Sequence, residues 1–94
     1  MRLENGQIIA EVTAFGAELQ MLARVGGKNC LWQVDERYWN RISPLLFPIV
    51  GKLRGDWAES PSGKIQLRQH GFARDSDFVI RYQSSDCLIL TLAD

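Results

Sequence analysis

The densest group of side chains able to do chemistry lies in one short run, "RQHGFARD" (residues 68–75), which holds the single histidine of the chain. Gln69, His70 and Arg74 all come from this segment. A glutamine amide both donates and accepts hydrogen bonds, a neutral imidazole donates at one nitrogen and accepts at the other, and a guanidinium supplies a rigid fork of donors. Gly71 frees the backbone directly after His70, which permits a turn that aims the imidazole out of a sheet. Such a mixed set suits a neutral polyol, whose hydroxyls donate and accept. It suits a bare anion less well, since that favours several cations. Taken singly, the same residues have plain readings. A histidine beside a glycine often just ends a strand, and Arg74 beside Asp75 is ordinarily a surface ion pair worth under ~1 kcal/mol.

Other chemistries find less support. Lys52 and Arg54 follow an apolar run and ordinarily mark a solvated strand end. Trp32, Trp39 and Trp57 usually pack in a core or at its rim, although aromatic rings also stack on the apolar faces of sugars. One histidine and two distant cysteines do not make a zinc site. Those cysteines, Cys30 and Cys87, sit in the apolar contexts "NCLW" and "DCLIL" and read as reduced core residues. "GKLRG" has neither the spacing nor the following helix of a phosphate-binding loop.

The bulk composition narrows the class. Apolar residues at 46% and charged residues at 23% describe a folded chain of one small domain, or a piece of a larger one, and exclude disorder. Eleven basic side chains balance eleven acidic ones, so the basic excess of a nucleic-acid binder is missing. A basic amphipathic helix for a membrane surface is missing too. Neither nucleic acid nor membrane is therefore expected as a partner. No apolar run approaches the ~20 residues of a membrane span. "MRLENGQIIAEV" lacks the apolar stretch of a signal peptide, which makes the cytoplasm the default location.

The elements that must position the polar run are strands. Period-two alternation dominates. In "QIIAEVTA", Ile8, Ala10, Val12 and Ala14 share a face opposite Glu11 and Thr13. In "AELQMLARV", Leu19, Met21, Ala23 and Val25 alternate with Glu18, Gln20 and Arg24. "GGK" (residues 26–28) then predicts a turn, with "NCLWQ" returning as the hairpin partner. "KIQLRQ", "DFVIRYQ" and "CLILTLA" give three more strands, the last two joined by the hairpin loop "SSD". Only "DERYWNR" hints at a helical turn, with Asp35 as its N-cap. "SPLLFPIVGKLRG" carries Pro44 and Pro48, so it is expected as an edge, a bulge or irregular backbone. "GDWAESPSG" reads as a loop by composition. The chain is all-β and antiparallel. Its most strongly apolar strand stands last, with no polar cap. A closed barrel and a truncated larger sandwich account for that equally well.

The order "FGAEL", "LW", "W…SPLLFPIVGKL", then "QHGFARD" before a strand centred on Phe78, resembles the amino-terminal third of aldose 1-epimerase-like proteins. These form the galactose mutarotase superfamily, and the resemblance points to its branch of LacX-type and glucose-6-phosphate 1-epimerase-type proteins. It covers essentially Ala14 to Leu92. "FPIVGKL" and "QHGFARD" at this separation are its specific parts. The resemblance implies that residues 1–94 are one partial domain, the amino-terminal part of a large antiparallel β-supersandwich with a sugar cleft across one sheet. It implies an isomerase of hexoses or hexose phosphates that needs neither metal nor organic cofactor. One group takes the proton from the anomeric hydroxyl while another protonates the ring oxygen. In the family a glutamate and a histidine do this, both from beyond position 94, so no catalytic residue is expected within the chain. His70 is similar to a second family histidine, which hydrogen-bonds the sugar near the ring oxygen and orients it. Gln69 and Arg74 resemble positions at the cleft entrance, where Arg74 meets a phosphate in the hexose-phosphate branch. Lys52 stands where classical mutarotases carry a substrate-contacting arginine in an "NRI"-like motif. Here the text is "GKL", which keeps the charge and loses the fork. Two other readings stand beside the isomerase: a non-catalytic carbohydrate-binding domain, and a small β domain that associates with a copy of itself through an exposed strand edge.

Overall fold

Alternating, β-branched sequence and short turns give a chain of antiparallel hairpins, shown by a computed structural model that describes residues 1–93. Strands β1 (Arg2–Glu4), β2 (Ile8–Val12) and β3 (Leu19–Arg24) form one sheet in that order. β4 (Trp57–Ser60) and β5 (Gly63–Gln66) form a hairpin, and β6 (Val79–Gln83) and β7 (Leu88–Thr91) form another. No α-helix occurs among the described residues; two 3-10 turns, Arg54–Asp56 and Ala73–Asp75, are the only helical elements there. The all-β antiparallel architecture is as the sequence patterning leads one to expect.

Several local expectations are corrected. "NCLWQ" is not the hairpin partner of β3, because the Asn29 side chain does the work of a strand: its Oδ1 accepts from the Leu22 N–H at 3.1 Å and the Leu31 N–H at 3.0 Å. β3 pairs instead with β2, Ile9 opposite Ala23. "GDWAESPSG" is not a loop. Trp57–Ser60 pairs with Gly63–Gln66 across the two residues Pro61 and Ser62, and the Ser60 hydroxyl closes the turn on the Gly63 carbonyl at 2.7 Å. Asp35 caps no helix. Its carboxylate accepts from the Arg37 N–H, Nε and Nη2, and the turn closes with the Trp39 N–H on the Asp35 carbonyl at 2.8 Å. The Arg37 guanidinium, helped by that backbone N–H, holds the Asp35 carboxyl below its ordinary value, and Asp35 in turn raises the Arg37 value. Cys30 and Cys87 are free thiols, as expected of reduced cysteines, yet both are exposed rather than in the core.

The proline-bearing stretch behaves as anticipated. Residues 44–53 form no strand. They dock on residues 67–76, which follow β5, through an isolated bridge between Phe47 and Gly71. A further set of backbone bonds joins the sheets. The Gly16 N–H meets the Ser76 carbonyl at 2.7 Å, the Phe78 N–H meets Ala14 at 3.0 Å, and the Glu4 N–H meets Ser85 at 2.7 Å.

Very little of the apolar surface is covered. Ala23, Leu67 and Ala73 are the buried hydrophobic residues, while Phe15, Trp39, Phe47, Val50, Val79, Ile80 and Tyr82 stand exposed. The accessible surface is 7054 Å², against about 5,500 Å² for a compact protein of this mass. The radius of gyration is 16.0 Å, against about 12 Å for a compact chain of this length. Leu45, Phe47, Phe72, Phe78 and Leu92 line an apolar hollow of about 470 Å³. Patches of this extent mark a surface that another layer of protein covers. No helix among the described residues is long and apolar enough to cross a membrane. In isolation the 94-residue chain is therefore expected to bind a hydrophobic dye strongly and to sediment as self-associated species. A dye-silent monomer with a sharp cooperative melt would contradict this.

Candidate functional site

The polar run "RQHGFARD" is held by backbone bonds to the segment that carries Pro44 and Pro48. The Phe47 carbonyl accepts from two N–H groups, Phe72 at 3.0 Å and Ala73 at 3.1 Å. The close approach requires Gly71. Its φ is +75°, and a Cβ placed there would lie 2.6 Å from the Pro48 nitrogen and against the Phe47 carbonyl. One residue earlier, the His70 N–H donates to the Gly51 carbonyl at 2.8 Å, and the Gly51 N–H donates back to His70 Nδ1 at 2.9 Å. His70 itself adopts φ +64°, a left-handed backbone that costs a non-glycine residue on the order of 1 kcal/mol. The sequence assigns the unusual backbone to Gly71 alone; the structure extends it to both residues.

These bonds gather part of the expected set. Gln69, His70 and Arg74 line one open hollow of about 420 Å³ with Trp39, Pro44 and Leu46, a volume within the roughly 300–1,000 Å³ of small-molecule sites. The Arg74 Nη2 donates to the Gln69 carbonyl at 3.0 Å. Its side chain is only 18% exposed, and its Nε is buried without a hydrogen-bond partner, the nearest Asp75 oxygen standing 4.0 Å away. Asp75 is engaged at 2.8 Å by Arg41. Two guanidiniums thus share one carboxylate, and Glu18 lines the same corner beside them; Arg74 is the one charged residue that also lines the hollow. Lys52 is elsewhere. Its ammonium pairs with Asp56 at 2.7 Å across an exposed i,i+4 contact, and it does not line the hollow.

Trp39 is the residue that sequence reasoning did not single out from its companions. Its place is set from three sides. The Trp32 indole N–H donates to the Trp39 carbonyl at 3.1 Å, and the turn from Asp35 fixes its backbone. Beyond it, the Ile42 N–H bonds the buried Glu18 at 3.3 Å and the Ser43 hydroxyl bonds the Leu19 carbonyl at 2.6 Å. The signal available in the sequence was "DERYWNR", whose Asp35 makes a side-chain turn rather than a helix. The hollow thus combines the apolar residues Trp39, Pro44 and Leu46 with the polar Gln69, His70 and Arg74.

No family model matches the chain. The plasmid-encoded LacX protein of Lactococcus lactis subsp. lactis is 36% identical over 85 residues, covering 85% of this chain and 28% of that protein. A galactose mutarotase related enzyme from Lactobacillus acidophilus superposes with a TM-score of 0.93 at 33% identity, over 100% of this chain and 32% of that one. A galactose mutarotase-like protein from Lactobacillus casei gives 0.82 at 36% identity, over 90% of this chain and 29% of that one.

The chain belongs to the galactose mutarotase superfamily. It spans about a third of the length of these relatives. The flat, uncovered slab superposes on about a third of the longer Lactobacillus acidophilus protein. Replacing Gly71 by alanine in a complete domain carrying this chain is expected to destabilise it by at least about 1–2 kcal/mol, from the left-handed backbone alone, and by more from the clash with Phe47. Denaturant unfolding indistinguishable from the parent would contradict the close approach.

Proposed function

We propose that a complete domain carrying this chain is an aldose 1-epimerase-like isomerase, which opens and recloses a hexose or hexose phosphate at its anomeric carbon. The observation that carries the reading is the hollow that His70, Gln69 and Arg74 line together with Trp39. Ring opening needs a base at the anomeric hydroxyl and an acid at the ring oxygen. No carboxylate lines the hollow, so on this reading the base, and its partner acid, come from the remainder of the domain. His70, Gln69 and Arg74 bind and orient the sugar, and Trp39 stacks against its apolar face. Arg74, the one charged residue lining the hollow, is the group on which a hexose phosphate would place its phosphate.

Anomer equilibration followed by polarimetry tests this. The complete domain is expected to accelerate it for a hexose or a hexose phosphate, and the 94-residue chain alone to leave it at the spontaneous rate. Arg74→Gln is expected to lower kcat/KM for the hexose phosphate roughly ten- to hundredfold, the loss of a charged hydrogen bond, and that for the neutral hexose far less. No acceleration with any hexose or hexose phosphate would end the enzyme reading. The lack of a lining carboxylate favours one second reading, a carbohydrate-binding domain without catalysis, which that same result together with measurable sugar binding would support.

A further inference from the structure

We infer that Gly51 is a positioning residue, which fixes the tautomer of His70 so that Nε2 donates and a ligand atom meeting it accepts. The ligand side of this inference rests on the sugar reading above; the tautomer side does not.

Two reciprocal bonds join Gly51 and His70. The His70 N–H is bound to the Gly51 carbonyl, and the Gly51 N–H points at His70 Nδ1 at 2.9 Å. An N–H donor aimed at a ring nitrogen requires a lone pair there, so the proton of the neutral imidazole belongs on Nε2. Nε2 has no hydrogen-bond partner among the described residues and is not buried. Only Cε1 separates it from the bound Nδ1, and it is open to a ligand. Free histidine presents a donor or an acceptor as its tautomers exchange; the Gly51 bond removes the acceptor.

Gly51 is able to do this because it is glycine. Its φ is +95°, with open space where a Cβ would lie, so a side chain is excluded by backbone conformation rather than by crowding. Arg74 adds donors only, one of them engaged with the Gln69 carbonyl at 3.0 Å, while the Gln69 amide both donates and accepts. A sugar oxygen that meets His70 Nε2 therefore accepts, and a hydroxyl there has to turn its proton away.

The test reads the tautomer directly. In a complete domain carrying this chain, with histidine labelled by 15N and His70 assigned by its loss in His70→Gln, the expected spectrum shows a bare, pyridine-like Nδ1 and a protonated, pyrrole-like Nε2. Adding glucose, galactose or their 6-phosphates is expected to shift Nε2 and to leave Nδ1 in place. Gly51→Val, whose β-branched side chain disfavours positive φ, is expected to give mixed tautomers and to weaken binding about three- to tenfold, one neutral hydrogen bond. Gly51→Asn, which tolerates the left-handed backbone, is expected to restore the single tautomer. His70→Gln, with an amide N–H near the Nε2 position, is expected to bind better than His70→Asn. A protonated Nδ1 in the parent, or an unchanged tautomer in Gly51→Val, would overturn the role of Gly51 and leave the sugar reading intact. The expected tautomer with resonances that no sugar shifts would instead remove the sugar reading, and with it the accepting ligand atom.

Discussion

The Phe47 carbonyl accepts the N–H groups of both Phe72 and Ala73, and in doing so it fastens together two segments that contain no strand. Residues 44–53 are kept out of a sheet by Pro44 and Pro48, which cannot donate to a ladder. Residues 67–76 turn too sharply to pair as a strand. Each supplies the other's missing hydrogen bonds, as buried or half-buried backbone demands. The cost falls on Gly71, where nothing larger than hydrogen fits, and on His70, held left-handed beside it. A strained non-glycine residue next to an obligatory glycine, facing an open hollow, is the arrangement in which local strain serves a site.

The same geometry leaves much of the apolar surface open. The chain covers few of its own apolar side chains, and its surface exceeds that of a compact protein of equal mass by roughly 1,500 Å². An excess of that size on one side is about what a large interface buries. The superposition over the whole chain with a protein about three times as long gives the same answer from the other direction. Phe47, which anchors the polar run through its carbonyl, also lines the apolar hollow with Phe72 and Phe78, so the uncovered face and the candidate site share one segment.

The strands at β2, β3, β5, β6 and β7 were legible because alternation is a local signal, and so was the irregular backbone around Pro44 and Pro48. The hairpin at Trp57–Ser60 was not. Its serines, proline and glycine have loop composition, and only the pairing with Gly63–Gln66 makes it a strand. The return of "NCLWQ" failed for a related reason, since one asparagine side chain took the place of a ladder. Gln69, His70 and Arg74 were legible as neighbours in sequence. That Trp39 joins them and Lys52 does not was not legible, because the first depends on bonds from Trp32, Glu18 and Leu19 and the second on a single ion pair with Asp56. The loss of the acceptor on His70 was likewise hidden. It follows from a backbone N–H nineteen positions away.

The most direct measurement is a crystal structure of a complete domain carrying this chain, soaked with a hexose or a hexose phosphate. The account predicts a pyranose in the hollow, its apolar face against Trp39 and an oxygen within hydrogen-bond distance of His70 Nε2, with Arg74 alongside. A hollow filled by side chains from the rest of the domain, or a sugar bound on a surface that touches neither His70 nor Arg74, would contradict it.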